Sequence, residues 1–165
     1  MTRSDGRNGP AATYKERLRG RSAHLGYALA YPIRETFRSN PKYYLVFATR
    51  SMKAIPIMND ILCSEEDALF ERTEAVRLDG QSTFFGSLRD DELQFRLAGL
   101  TEEIHRFGVA HQGSIRPKIV EYFIMEKFGQ FKVKHYHNAI AKLVKERRAK
   151  FANGRQNNND PITFM

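Results

Sequence analysis

The groups with the clearest chemistry in this 165-residue chain lie between residues 132 and 155. Lys132, Lys134, His135, Asn138, Lys142, Lys145, Arg148 and Arg155 recur along one basic run whose only acid is Glu146. Ammonium and guanidinium groups meet phosphate oxygens, which position a protein without specifying a sequence. A helix-borne Asn can pair bidentately with adenine in the major groove, and Lys134 and Lys142 flank Asn138 one turn away on either side. Lys145, Arg148 and Lys150 suit phosphates, and Arg155 could reach a neighbouring groove or backbone. The same cations also suit an acidic protein partner or plain solvation, because a basic helix face does not settle function.

Other chemistry-bearing residues point elsewhere. His135 and His137 are two apart, which puts them on different sides of a helix and makes a shared metal ion unfavourable. The single Cys63 excludes an intramolecular disulfide and a Cys-based zinc site, and fits a reducing compartment. Glu65, Glu66 and Asp67 read as the charged first turn of a helix capped by Ser64, where acids complement the helix dipole. Thr49, Arg50 and Ser51 follow a strand, where α/β sheets bind ligands, but a helix cap explains them at lower cost. No residue is assigned a catalytic role or a metal.

These groups need elements to hold them. Val133, Tyr136, Ile140, Leu143 and Val144 recur at helical spacing, so the basic run is expected as a one-sided helix over residues 133–151. Before it, Pro117 opens a helix that buries Ile119, Val120, Phe123, Ile124 and Phe128, and residues 129–131 make a tight connection. After it, Asn153-Gly154 signals a turn and residues 161–164 a short strand. Helix, turn, helix, turn and strand is the order of a winged helix-turn-helix, whose second helix enters the major groove. The Asn-rich residues 156–159 are not a strand sequence, which implies a wing that is either short or floppy.

Net charge follows the same division. The chain carries +8 overall; residues 115–155 alone carry eleven basic and three acidic groups, and residues 23–114 are mildly acidic. Clustered positive charge favours a polyanion. A hydrophobic content of 41% supports a packed core. No run reaches the apolar length of a membrane span and the N-terminus lacks a signal-peptide core, so a bacterial-type cytoplasmic protein is expected. In the front part, residues 1–12 read as a disordered basic tail and residues 14–26 as a basic helix. Residues 28–33 suggest a strand. Residues 42–49 make the best strand, and their unbroken run suits burial on both faces of an α/β sheet. Helices are expected over 52–62 and from Ser64 toward Arg77, then a loop over 80–87. Residues 90–107 leave their state open.

Taken in order, five segments resemble the C-terminal part of the three-Cys-motif partner protein family. They are Tyr14-Lys-Glu-Arg-Leu18, Lys42-Tyr-Tyr-Leu-Val-Phe-Ala-Thr-Arg50, Ile57-Met-Asn-Asp-Ile61, Gln81-Ser-Thr-Phe-Phe85 and Ile162-Thr-Phe164. The resemblance implies the last strand-helix elements of a Rossmann-like, methyltransferase-type sheet over residues 13–100. A winged helix-turn-helix domain would follow over residues 101–165. It implies S-adenosylmethionine for full-length relatives, but the family's front-half glycine turn has no counterpart here, so no cofactor is expected in this chain. The expected fold is thus an α/β remnant plus an α+β winged domain, and the expected function is duplex DNA binding by a truncated family member. Two alternatives stand beside it. One is a methyltransferase active only with its missing N-terminal half; the other is a protein-protein module whose partner is a three-Cys-motif protein or that missing half.

Overall fold

The computed structural model describes residues 26–36, 39–78, 83–154 and 157–165. The expected tail over residues 1–12 and the basic helix over 14–26 lie outside them, except for Gly26. The described chain is a mixed α/β fold of four helices and two small antiparallel sheets.

The first sheet pairs β1 (Tyr27–Ile33) with β2 (Tyr43–Thr49), Tyr27 opposite Thr49 and Ile33 opposite Tyr43. This differs from the doubly buried strand expected at β2. β1 is the better covered strand, with Ala28, Leu29 and Tyr31 buried, whereas on β2 Phe47 packs half-buried on Phe128 and Tyr43 and Tyr44 are more than half exposed. The β-favouring run fixes the extended backbone but not the number of layers packed on it.

One helix, α1 (Ala54–Leu78), replaces the two expected helices. Pro56 lies in its first turn, as expected, and Ser64 is an exposed mid-helix residue rather than a cap. No Gly or Pro lies between residues 57 and 78 to stop the helix at Ser64. Glu66 and Asp67 therefore serve as ion-pair partners and not as first-turn acids; Glu66 sits 3.5 Å from Arg34. The segment whose state was open belongs to α2 (Thr83–Ala110), a helix that runs without a break through residues 100 and 101. Leu100 and Ile104 are its fully buried residues. Gly108 lets the C-terminal residues 161–164 cross closely: a Cβ there would fall 2.4 Å from the Phe164 ring.

The C-terminal part follows as β3 (Ser114–Ile115), α3 (Arg116–Glu126), α4 (Val133–Lys145), β4 (Ala149–Phe151) and β5 (Pro161–Phe164). Pro117 opens α3 as the sequence suggested. The strands lie in the order β3-β5-β4, all antiparallel, with Ile162 of β5 opposite both Ser114 and Phe151. Ile119, Ile124, Ile140, Leu143 and Ile162 are fully buried between helices and sheet, in one apolar cluster that extends to Leu29 and Ile55.

The basic helix is six residues shorter than expected, ending at Lys145 instead of residue 151. Arg147 takes φ 60°, its N–H donates to the Val144 carbonyl, and the Arg148 N–H donates to the Leu143 carbonyl. That is a Schellman closure with Arg where Gly is usual, and it turns the chain into β4. No Gly or Pro marked the stop.

Candidate nucleic-acid interface

Helix α4 is amphipathic in the sense its sequence requires. Tyr136, Ala139, Ile140 and Leu143 are buried, and Lys134, Asn138, Lys142 and Lys145 are exposed on the opposite side. Lys134, Asn138 and Lys145 have no hydrogen-bond or ion-pair partner among the described residues. Lys142 has only a loose approach to Glu146, at 3.9 Å.

Lys132, His135 and Arg148, also expected as contacts, are not on that free face. Lys132 precedes the helix and its Nζ sits 2.9 Å from Asp67 of α1. Its backbone N–H donates to His135 Nδ1 at 3.2 Å, which leaves the His135 ring neutral. Burial, then Lys134 and Lys132, hold His135 below its usual range. His137 is lowered too, by burial and by Arg116. Arg148 is engaged by a bidentate pair with Glu102 of α2, at 2.6 and 2.7 Å, and by His105 Nδ1 at 3.1 Å. Glu102's carboxyl is held below its ordinary range chiefly by that hydrogen bond. Arg155 lies outside the described residues. Lys150 and Lys118 are exposed on β4 and α3.

Sequence reasoning missed what positions the helix. Asn59 is fully buried in α1. Its Oδ1 accepts the Gly129 N–H at 2.9 Å and its Nδ2 donates to the Phe131 carbonyl at 2.8 Å. Next to it, Asp60 Oδ1 accepts the Val133 N–H at 2.8 Å and so caps α4. Gly129 adopts φ 76°, and a Cβ there would fall 2.3 Å from the Tyr31 ring. The available signal was a polar pair, Asn59-Asp60, at the point where Ile55 and Leu62 fix the buried face.

Where the sequence suggested a wing, β4 and β5 pair antiparallel. Asn153 Nδ2 donates to the buried Asp160 at 2.7 Å, and Arg116 reaches Asn158 at 3.4 Å while lying over the Phe151 ring. Three grooves border α4: one of about 360 Å3 beside Glu102, Glu146 and Arg148, and two others. Of these two, one, of about 260 Å3, runs between α2 and α4, lined by Gln94, Leu97, Ala98, Asn138 and Lys142 among others. The other, of about 280 Å3, lies at the N-terminal end of α4, and Cys63 and His135 both line it. Burial and the carboxylates of Asp60, Glu66 and Asp67 push the Cys63 thiol up to about 12. A thiol held protonated is the reverse of an activated cysteine nucleophile.

Thr49 and Ser51 form a turn of their own ahead of α1, the Ser51 N–H donating to Thr49 Oγ1 at 3.1 Å. Among the described residues no cluster of three or more His, Cys, Asp or Glu could hold a metal ion, and no helix is long and apolar enough to cross a membrane. Compared with known protein families, curated proteins and solved structures, the chain matches none.

Proposed function

We propose that residues from β3 onward, with the second half of α2, act as a winged helix-turn-helix that binds duplex DNA through α4. The observation that carries this reading is the outward face of α4: three exposed lysines, Lys134, Lys142 and Lys145, surround Asn138 on a helix whose other face is buried. Element order and the β3-β5-β4 sheet support it. Lys150 and Lys118 extend the cationic surface. Arg148 and Lys132 are internal ties in this reading and not phosphate contacts.

The test is fluorescence anisotropy of the full chain with a random duplex across a salt series. Affinity should fall steeply with salt, and each lysine changed to Glu should reduce the log-log slope by about 1. Salt-independent association, or none at low salt, would remove the proposal.

A second reading keeps the family resemblance, as part of an S-adenosylmethionine-dependent methyltransferase. Its support is β2, which lies at an edge of a two-stranded sheet and pairs with no strand but β1 among the described residues. Co-expression with a segment carrying a glycine-turn strand should then yield a complex that binds S-adenosylmethionine. A stable complex without such binding would count against catalysis.

A further inference from the structure

Phosphate contact leaves two amides beside the cationic face unexplained. Asn138 on α4 and Gln94 on α2 are both exposed, and neither has a hydrogen-bond partner among the described residues. They line one groove of about 260 Å3, with Leu97, Ala98 and Ala139 as apolar lining and Lys142 beside them. Nothing in the sequence spacing brings Gln94 to Asn138; the side-by-side packing of α2 and α4 does.

We propose that this groove makes duplex binding sequence-selective, with the Asn138 amide reading an adenine and the Gln94 amide contacting the adjoining base. The inference rests on the duplex-binding reading above and names the feature of the duplex that the same face selects.

The chemistry is a match of donors and acceptors. An amide offers one N–H donor group and one carbonyl acceptor side by side. Adenine's major-groove edge offers the complement, the N7 acceptor and the N6 donor. Guanine offers two acceptors, N7 and O6, so the amide carbonyl would face an oxygen. Of Lys134, Asn138, Lys142 and Lys145, only Asn138 both donates and accepts; the lysines attract any phosphate backbone without discriminating. The major groove is about 12 Å wide and admits one helix, so α2 stays at its rim while α4 enters. Gln94, with a side chain one carbon longer than Asn, reaches inward from that rim.

The experiment is selection of a randomised duplex library on the full chain, followed by affinity measurement on the enriched duplex. An adenine should be enriched, and replacing it with 7-deazaadenine, which lacks the N7 acceptor, should weaken binding about tenfold. Asn138→Ala should erase that difference and leave the salt slope unchanged. Gln94→Ala should relax only the neighbouring position. Both residues are exposed, and circular dichroism of each variant confirms an intact fold. Salt-sensitive binding without an enriched adenine, or enrichment that survives Asn138→Ala, overturns the base reading and leaves the phosphate reading intact. Absence of duplex binding at low salt overturns both.

Discussion

At its N-terminal end α4 is held by a buried amide and a carboxylate; at its C-terminal end it is held by a half-buried guanidinium and a residue in the left-handed region. Asn59 and Asp60 together bind Gly129, Phe131 and Val133, three backbone groups on the turn that launches the helix. Arg148 grips Glu102 where water reaches both. The first arrangement leaves buried backbone groups orphaned if it is disturbed, whereas the second exchanges one solvated ion pair for two solvated ions. The comparison teaches that orientation of the lysine face is set from α1, at the start of the helix, and only trimmed at its end.

The largest effect should come from Gly129→Ala. The residue would have to keep φ 76° and place a methyl against Tyr31. A left-handed Ala and an overpacked contact together cost about 3 kcal/mol or more. A urea unfolding midpoint close to that of the parent chain would break the claim that this end is rigidly specified. Asn59→Ala comes next. It strands the Gly129 N–H and the Phe131 carbonyl without partners, at a cost of about 2–4 kcal/mol. A loss below about 1 kcal/mol would mean that the turn finds other partners and that the two ends are alike.

The two ends also differ in how legible they are. The apolar stripe Val133, Tyr136, Ile140 and Leu143 announces α4, and Pro117 and Gly129 announce the helix and turn before it. Those are local signals, and the structure follows them. Asn59 acts across seventy residues on Gly129, and no local pattern encodes that distance. The exposed Lys134, Asn138, Lys142 and Lys145 could be read from helical phase alone. The engagement of Arg148 by Glu102 and of Lys132 by Asp67 could not, because it depends on which helices become neighbours. The stop at Lys145 escaped for a different reason: Arg147 supplies by strain the conformation that Gly supplies freely. Helix α1 runs through Ser64 because a cap residue caps only where the backbone already turns.

Arg147→Gly sharpens the comparison in the opposite direction. Removing the left-handed strain at the C-terminal end should stabilise the chain by about 1 kcal/mol. The expected readout is a higher urea midpoint with unchanged slope. A destabilised variant would show that the Arg147 side chain supplies more than its backbone costs.

The N-terminal end should also respond to pH in its own way. His135 is neutral in the fold, accepting the Lys132 N–H, and its pKa is lowered by burial and the nearby lysines. A group whose folded pKa lies below its unfolded value stabilises fully above the unfolded value, about 6.5. That contribution is lost as pH falls through the depressed folded pKa. His137 adds to the loss in the same direction. Urea midpoints should therefore decline from about pH 7 to about pH 5, and His135→Gln should flatten part of that decline. A profile unchanged by His135→Gln would detach the imidazole from the anchoring of α4.

The smallest effect on stability is expected at Arg148 and Glu102. Both carboxylate oxygens are engaged, yet the pair is open to solvent, so its coupling should be weak and should fade as salt is added. A double-mutant cycle with Arg148→Ala and Glu102→Ala, at low and high salt, measures that coupling directly. The same variants separate anchoring from nucleic-acid contact. If Arg148 is a tie between α2 and the end of α4, Arg148→Ala leaves the salt slope of duplex binding where it was, unlike Lys142→Ala. A slope reduced equally by both would move Arg148 onto the binding face, and would mean that the guanidinium leaves Glu102 for phosphate when the duplex arrives. The C-terminal end of α4 would then be the adjustable part of the interface, set against an N-terminal end that Asn59 does not allow to move.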